Sequence, residues 1–280
     1  MKEQTLVIRS IVSHIEFRAV EKLQSETWGA DDVTPATNLI ASVEVGAILI
    51  GAFDNEALVG FAYGFVGRYQ GELEIHSHML AVNPAYRNHD LGYKLKLAQR
   101  EEALNKGFKR MTWTFDPLQS PNAHLNLRKL GAIADEYKIN YYGDDSQNLL
   151  HRDIGTDRLW VTWFLDSSRV VERLNAKEVG PVTLPQEALS LIEYDSAATP
   201  SCIPLSETGN AEHLLIDVPK SITNLQQNNL SLALVWRNET RKAFTQAFSS
   251  SFYVTDFIRR RDDSEIGGAF VLTRKETSSK

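Results

Sequence analysis

Two histidines and a glutamate fall on one alternating run. Residues 75–82, Ile-His-Ser-His-Met-Leu-Ala-Val, read as a strand that Asn83-Pro84 stops. Under the two-residue period, Glu74, His76, His78, Leu80 and Val82 share one face, with the two histidine Cβ atoms about 7 Å apart. An imidazole of pKa near 6.5 can exchange a proton near neutral pH. The plainer reading of a His-x-His pair is two hydrogen-bonded strand residues. A zinc site would need third and fourth ligands at a recognisable spacing, and none is offered, so no metal is expected.

The strand leads through Tyr86-Arg87-Asn88-His89-Asp90-Leu91-Gly92-Tyr93 into a helix. Free backbone N–H groups at the positive end of a helix suit a phosphate or pyrophosphate. Gly92 permits close approach of the backbone, and Arg87 and Lys94 add charge. From Arg87 to Arg110 seven basic residues (Arg87, Lys94, Lys96, Arg100, Lys106, Lys109, Arg110) face three acidic ones (Asp90, Glu101, Glu102), a local charge of +4. The alternative is an ordinary strand–helix connection with a solvated basic helix.

These groups need a scaffold. A helix is expected from about Ile15 past Leu23, broken at Trp28-Gly29 and followed by a Pro35 loop. Strands are expected at 47–53 and 57–66 around an Asp54-Asn55-Glu56 turn, then at 75–82. A helix follows over 91–105, with Leu91, Leu95 and Ala98 on one stripe and Gly107 as its stop. The strand 109–116 ends at Pro117. Ser120-Pro121 predicts a helix start with the serine as N-cap, and that helix carries Ala123, Leu127 and Leu130 to a stop at Gly131. Strands near 133–142 and 159–165 complete an α/β domain. Five of the nine prolines fall between 181 and 219, which predicts a connecting region of extended segments. Beyond it, 214–218, a helix over 230–248, and strands at 252–258 and 269–273 predict a second, smaller α/β unit. The expected division is 1–170, 171–211 and 212–280.

A chain of 280 residues, 42% hydrophobic and 24% charged, has enough apolar content to bury a core and excludes a disordered reading. The longest apolar stretch, Val45 to Phe53, contains two glycines and is far shorter than the roughly 20 residues of a membrane span. The start, Met1-Lys2-Glu3-Gln4, lacks the apolar core of a secretory signal. The single Cys202 permits no intramolecular disulfide, so a reducing, cytoplasmic location is expected. A net charge of −6 argues against an extended nucleic-acid partner.

Leu-Ala-Val-Asn-Pro-Ala-Tyr-Arg, with glycine five residues later at the mouth of a helix, resembles the signature of the GCN5-related N-acetyltransferase (GNAT) superfamily. The family's Arg/Gln-x-x-Gly-x-Gly/Ala loop, which holds the coenzyme A pyrophosphate, matches Arg87 to Gly92, with Asp90 in place of the first glycine. Over residues 5–165 the resemblance implies a mixed, mostly antiparallel sheet flanked by helices. It also implies an acyl-CoA co-substrate, acetyl-CoA or another such as succinyl-CoA, with pantetheine bonded to backbone at Leu80 and Val82. Arg87, Asn88, His89, Asp90, Leu91, Gly92, Tyr93 and Asn122 are then implied cofactor contacts. Leu127 stands where many members carry a tyrosine that protonates the thiolate. His-x-His-x-Leu-Ala-Val resembles the strand of the serotonin N-acetyltransferases whose histidines take the amine proton, which implies His76 or His78 as the base, directly or through water, with Glu74 on the same run as the reserve. Trp28, Asp116 and Arg158 are candidate substrate contacts. The expectation is an N-acyltransferase acting on a small-molecule amine such as a free amino acid, with a homodimer, no nucleic acid and no membrane among its partners. The alternative, raised by Asp90 and Leu127, is a CoA-binding or ligand-sensing module.

Overall fold

The computed structural model describes residues 6–30, 33–69, 71–87, 90–143, 153–176, 187–260 and 265–275. Asn88 and His89 lie outside the described residues. The chain divides into two compact units: 1–113 with 147–150 and 164–167, and 114–146 with 151–163 and 168–280. The division at Trp113/Thr114 falls inside the 1–170 span that the sequence reading treats as one domain.

The first unit contains β1 (Val7–Ser10), α1 (His14–Trp28), α2 (Ala36–Glu44), β2 (Ile48–Asp54), β3 (Ala57–Tyr69), β4 (Glu72–Val82), α3 (Leu91–Asn105) and the start of β5 (Arg110–Phe115). Strands β1 to β4 pair antiparallel in chain order, and β5 lies parallel to β4. A reciprocal box starts α1: Ser13 Oγ accepts from Glu16 N–H, and the Glu16 carboxylate accepts from Ser13 N–H. Gly29, at φ 102°, ends it. The expected loop at Pro35 leads into helix α2, which the sequence reading does not anticipate. Its nine residues bury only Ala36 and Leu39, too few to set a recognisable period. Phe17, Val20 and Leu23 of α1 and Leu39 of α2 pack on Phe61, Tyr63, Met79 and Ala81 of the sheet.

Strand β4 does not keep one period. Tyr63 pairs with Met79 and Gly64 with Ser77, so His78 is an extra residue with no partner on β3. Such a bulge reverses the parity of the residues beyond it. Because paired residues share a face, Glu74 and His76 (opposite Gly67 and Phe65) lie with Met79 and Ala81 on the α1/α2 side. Ser77, Leu80 and Val82 lie on the other side, where Gln99 and Lys96 of α3 meet Ser77. The single face expected for Glu74, His76, His78, Leu80 and Val82 is thus corrected. The aromatic contact of His78 with Phe65 keeps its ring with His76, and the two aliphatic residues turn away.

The second unit comprises α4 (Ser120–Ala123), a π turn (His124–Lys129), β6 (Ile133–Lys138), β7 (Arg158–Phe164), α5 (Ser168–Asn175), β8 (Leu189–Ser190), β9 (Ile192–Tyr194), β10 (Pro200–Cys202), β11 (His213–Pro219), α6 (Ile222–Asn228), α7 (Leu230–Ser249), β12 (Phe252–Arg259) and β13 (Ile266–Arg274). Its strands run β7-β6-β12-β13-β11-β8. All pairs are antiparallel except the short β11–β8 pair. Gln119 takes the N-cap position expected of Ser120, without a side-chain cap bond. The stripe Ala123, Leu127, Leu130 is fully buried and stops at Gly131, φ 74°. Among the described residues, no helix is long and apolar enough to cross a membrane.

Candidate active site

The histidines sit where β4 and β5 stop pairing. The parallel ladder joins Ile75 to Met111 and His76 to Thr112, and among the described residues it has no rung beyond. Across that last rung, His76 Nδ1 lies 3.1 Å from Thr112 Oγ1, which donates to Glu74 Oε1 at 2.7 Å. Glu74 is buried and ion-paired through Oε2 to Arg110 Nε at 2.8 Å. The reserve base is therefore already engaged by a hydroxyl and a guanidinium. Phe65 packs on both imidazoles, with ring centroids 5.4 Å from His76 and 5.7 Å from His78. Burial, then His78, then Lys96 push the His76 pKa down to about 4, and burial lowers that of His78. His76 is thus neutral at pH 7 and has a lone pair to offer.

Behind the same strand, α3 buries a lysine. Lys96 Nζ lies 2.9 Å from Ser77 Oγ, 3.0 Å from Gln99 Oε1, 3.3 Å from Met111 Sδ and 3.9 Å above the Trp113 ring. Burial lowers its pKa to about 7. The seven basic residues counted between Arg87 and Arg110 are thus differently placed. Lys96 is inside, Arg110 pairs with Glu74, Lys106 with Glu102 and Lys109 with Asp166. Arg100 donates twice to the Leu165 carbonyl. Arg87 and Lys94 keep their side chains in solvent beside the mouth of α3.

Asp90 is the N-cap residue of α3, with φ 53° and ψ 22°, a left-handed conformation natural to glycine. The first i→i−4 bond of α3 runs from Lys94 N–H to Asp90 C=O, so the amides of Leu91, Gly92 and Tyr93 precede the helical ladder. Leu91 is buried and anchors the turn, while Gly92 and Tyr93 are half-buried. Burial and then Asp90 raise the Tyr93 pKa. Leu80 and Val82, half-buried on the α3 side of β4, lead into this loop, and Arg87 Nε reaches back to Val82 O at 3.4 Å. Trp28 is half-buried and meets Phe61 edge-on at 6.1 Å, as a flank of the core.

The remaining sequence candidates belong to the second unit. Asp116 is 3% exposed and receives both guanidinium nitrogens of Arg237, at 2.9 and 2.7 Å. Burial alone would lower the Arg237 pKa; Asp116 more than reverses this and raises it. Arg241, one helical turn from Arg237, binds both oxygens of the buried Asp157. Arg158 is buried against the Tyr142 ring, 5.0 Å from its centroid, and burial lowers its pKa. Asp116 thus serves as a structural partner, a role the sequence could not reveal because Arg237 lies 121 positions away. Asn122 is exposed in α4, and Leu127 is fully buried in the π turn. Sequence reasoning also missed Thr112, whose only sign is that it lies across from His76. Among the described residues, no group of three His, Cys, Asp or Glu side chains is placed to hold a metal ion.

Residues 17–132 match the acetyltransferase (GNAT) family. Among solved structures, the chain is similar to an aminoglycoside 6'-acetyltransferase type Ii, at 19% identity over 57% of this chain and 98% of that one, with a TM-score of 0.46. It is also similar to the ribosomal-protein-S18-alanine N-acetyltransferase from Escherichia coli, at 16% identity over 59% and 96%, TM-score 0.46. A third is a GNAT family acetyltransferase from Elizabethkingia anophelis with acetyl-CoA bound, at 16% identity over 58% and 99%, TM-score 0.43. No curated protein matches the chain.

Proposed function

Given that residues 17–132 match the acetyltransferase (GNAT) family, we propose that the protein is an acyl-CoA-dependent N-acyltransferase whose acceptor is the amine of a small molecule, a free amino acid being the first to test. The observation that carries this reading is the neutral His76 at the last described rung between β4 and β5, on the strand that leads toward the left-handed Asp90 at the start of α3. Acyl-CoA would supply a thioester whose carbonyl the amine attacks, with thiolate as the leaving group. The α3 amides from Leu91 to Tyr93, with Arg87 and Lys94, would hold the pyrophosphate. The β4 backbone near Leu80 would bond the pantetheine arm and steady the oxyanion. His76, or His78 beside it, would take the amine proton. With Leu127 buried and lacking a hydroxyl, the thiolate leaves without a phenolic acid at that position, which a thiol of pKa about 8.5 tolerates near neutral pH.

Calorimetry with acetyl-CoA and succinyl-CoA tests the first half, and no heat of binding at millimolar cofactor would refute it. A screen of amino acids read by free thiol release tests the second half, with His76→Ala and His78→Ala as controls. Binding without turnover on any acceptor would favour the alternative, a CoA-binding sensor suggested by Asp90 in place of glycine. Turnover confined to a protein tail would replace the small-molecule acceptor.

A further inference from the structure

We propose that Thr112 and Glu74 are positioning residues that hold His76 in one tautomer, with the proton on Nδ1 and the lone pair on Nε2. This rests on the reading of His76 as base only for its catalytic consequence, because the tautomer itself can be observed without turnover. A threonine hydroxyl has a single hydrogen, and an ionised carboxylate has none to give. Glu74, facing the Arg110 guanidinium at 2.8 Å, acts as acceptor toward Thr112 Oγ1 at 2.7 Å. The hydroxyl hydrogen is therefore committed to Glu74. What Thr112 turns toward His76 at 3.1 Å is a lone pair, and only an N–H at Nδ1 satisfies it.

The register makes this a built device. Thr112 faces His76 in the last rung of the β4–β5 ladder, and Glu74 is two residues earlier on the same face of β4, before the bulge at His78 changes parity. Phe65, directly across β3, closes the other side of the ring. Among the described residues, the charged and titratable groups around the imidazole include His78, 6.4 Å away between ring centroids, Glu74 and Arg110 through Thr112, and Lys96 of α3. A neutral imidazole can accept a proton only at the nitrogen that lacks one. The relay therefore determines which ring nitrogen does so, and that nitrogen is the one away from β5.

The test uses the full chain labelled with [15N]histidine. Long-range proton–nitrogen NMR at pH 7 reads which nitrogen carries the hydrogen, and the spectrum of His76→Gln assigns the signal. The expected result is Nδ1–H in the wild type and in Thr112→Ser, which keeps the hydroxyl, and a several-fold shift toward Nε2–H in the near-isosteric Thr112→Val. A wild-type signal with the proton on Nε2, or a valine variant with an unchanged signal, overturns the proposal. Turnover is measured alongside: if His76 is the base, Thr112→Val lowers kcat at constant KM for acyl-CoA and Thr112→Ser restores it. The expected spectra with kcat unmoved would support the tautomer lock and remove His76 from the chemistry.

Discussion

Replacing Arg237 by methionine isolates what α7 contributes to the stability of the second unit. The guanidinium is 1% exposed and makes three bonds, two to the Asp116 carboxylate and one from Nε to the Ile154 carbonyl at 3.0 Å. Methionine fills much of the same volume but takes the guanidinium away from the buried Asp116 carboxylate, to which the Leu118 amide still donates at 2.9 Å, and leaves the Ile154 carbonyl without this donor. Removing one partner of a buried pair costs about 3–5 kcal/mol, mainly from the uncompensated charge that remains. At about 2–4 °C per kcal/mol for a unit of this size, the melting point falls by roughly 6–20 °C. Adding Asp116→Asn removes the stranded charge while keeping an acceptor for Leu118 N–H, so the double variant regains about 1–3 kcal/mol. Denaturant unfolding of the wild type, both single variants and the double variant closes the cycle. The reasoning fails if Arg237→Met loses less than about 1 kcal/mol, or if the double variant is no more stable than Arg237→Met.

Asp90→Gly removes a negative charge beside the proposed pyrophosphate site and relieves a left-handed backbone; acyl-CoA binds several-fold tighter by calorimetry, with a stability change under about 1 kcal/mol. Lys96→Met changes the pH dependence of stability. A lysine with a folded pKa of about 7, below its unfolded value, leaves the fold most stable above pH 10 and progressively weaker as pH falls toward 7. Melting curves from pH 7 to 10.5 therefore slope upward for the wild type and flatten in the variant. Gly64→Ala places a Cβ 2.8 Å from the Ile75 side chain and 3.0 Å from both Gln99 Nε2 and the His76 carbonyl, costing about 1–3 kcal/mol in denaturant unfolding. His76 reports on acid: its folded pKa of about 4, against 6.5 unfolded, means stability is lost as pH falls from 6.5 toward 4, and His76→Gln removes that part of the slope.

The sequence was readable where a local pattern decides the outcome. The strands of the β2–β3 hairpin, the α3 stripe of Leu91 and Leu95, the β4 strand and its loop, and α7 all follow from spacing and punctuation. Asp90 in the glycine position was visible as a departure from the family pattern, and its left-handed φ shows how the loop accommodates it. The unread features depend on partners distant in sequence. Nothing within residues 72–82 reveals that His78 is surplus, since a bulge is defined by the register of β3 against β4. Lys96 looked like one more charge on a basic helix because its burial depends on Ser77 and Trp113. Asp116 at a strand end looked accessible because its partner is on α7. The candidate residues His76, His78 and Glu74 were thus legible as residue types, and the wiring of His76 through Thr112 and Glu74 was not.

The second unit repeats a pattern: a helical turn followed by the β6–β7 hairpin, and the longer α7 followed by the β12–β13 hairpin, joined edge to edge by β6 and β12. Arg128 and Arg173 reinforce the join at Asp256, at 2.7 and 3.2 Å. Two separate molecules would have to make such a junction by association, and its occupancy would then follow mass action. Carried on one polypeptide, it forms at an effective concentration set by the connecting chain, so dilution does not uncover the β6 edge.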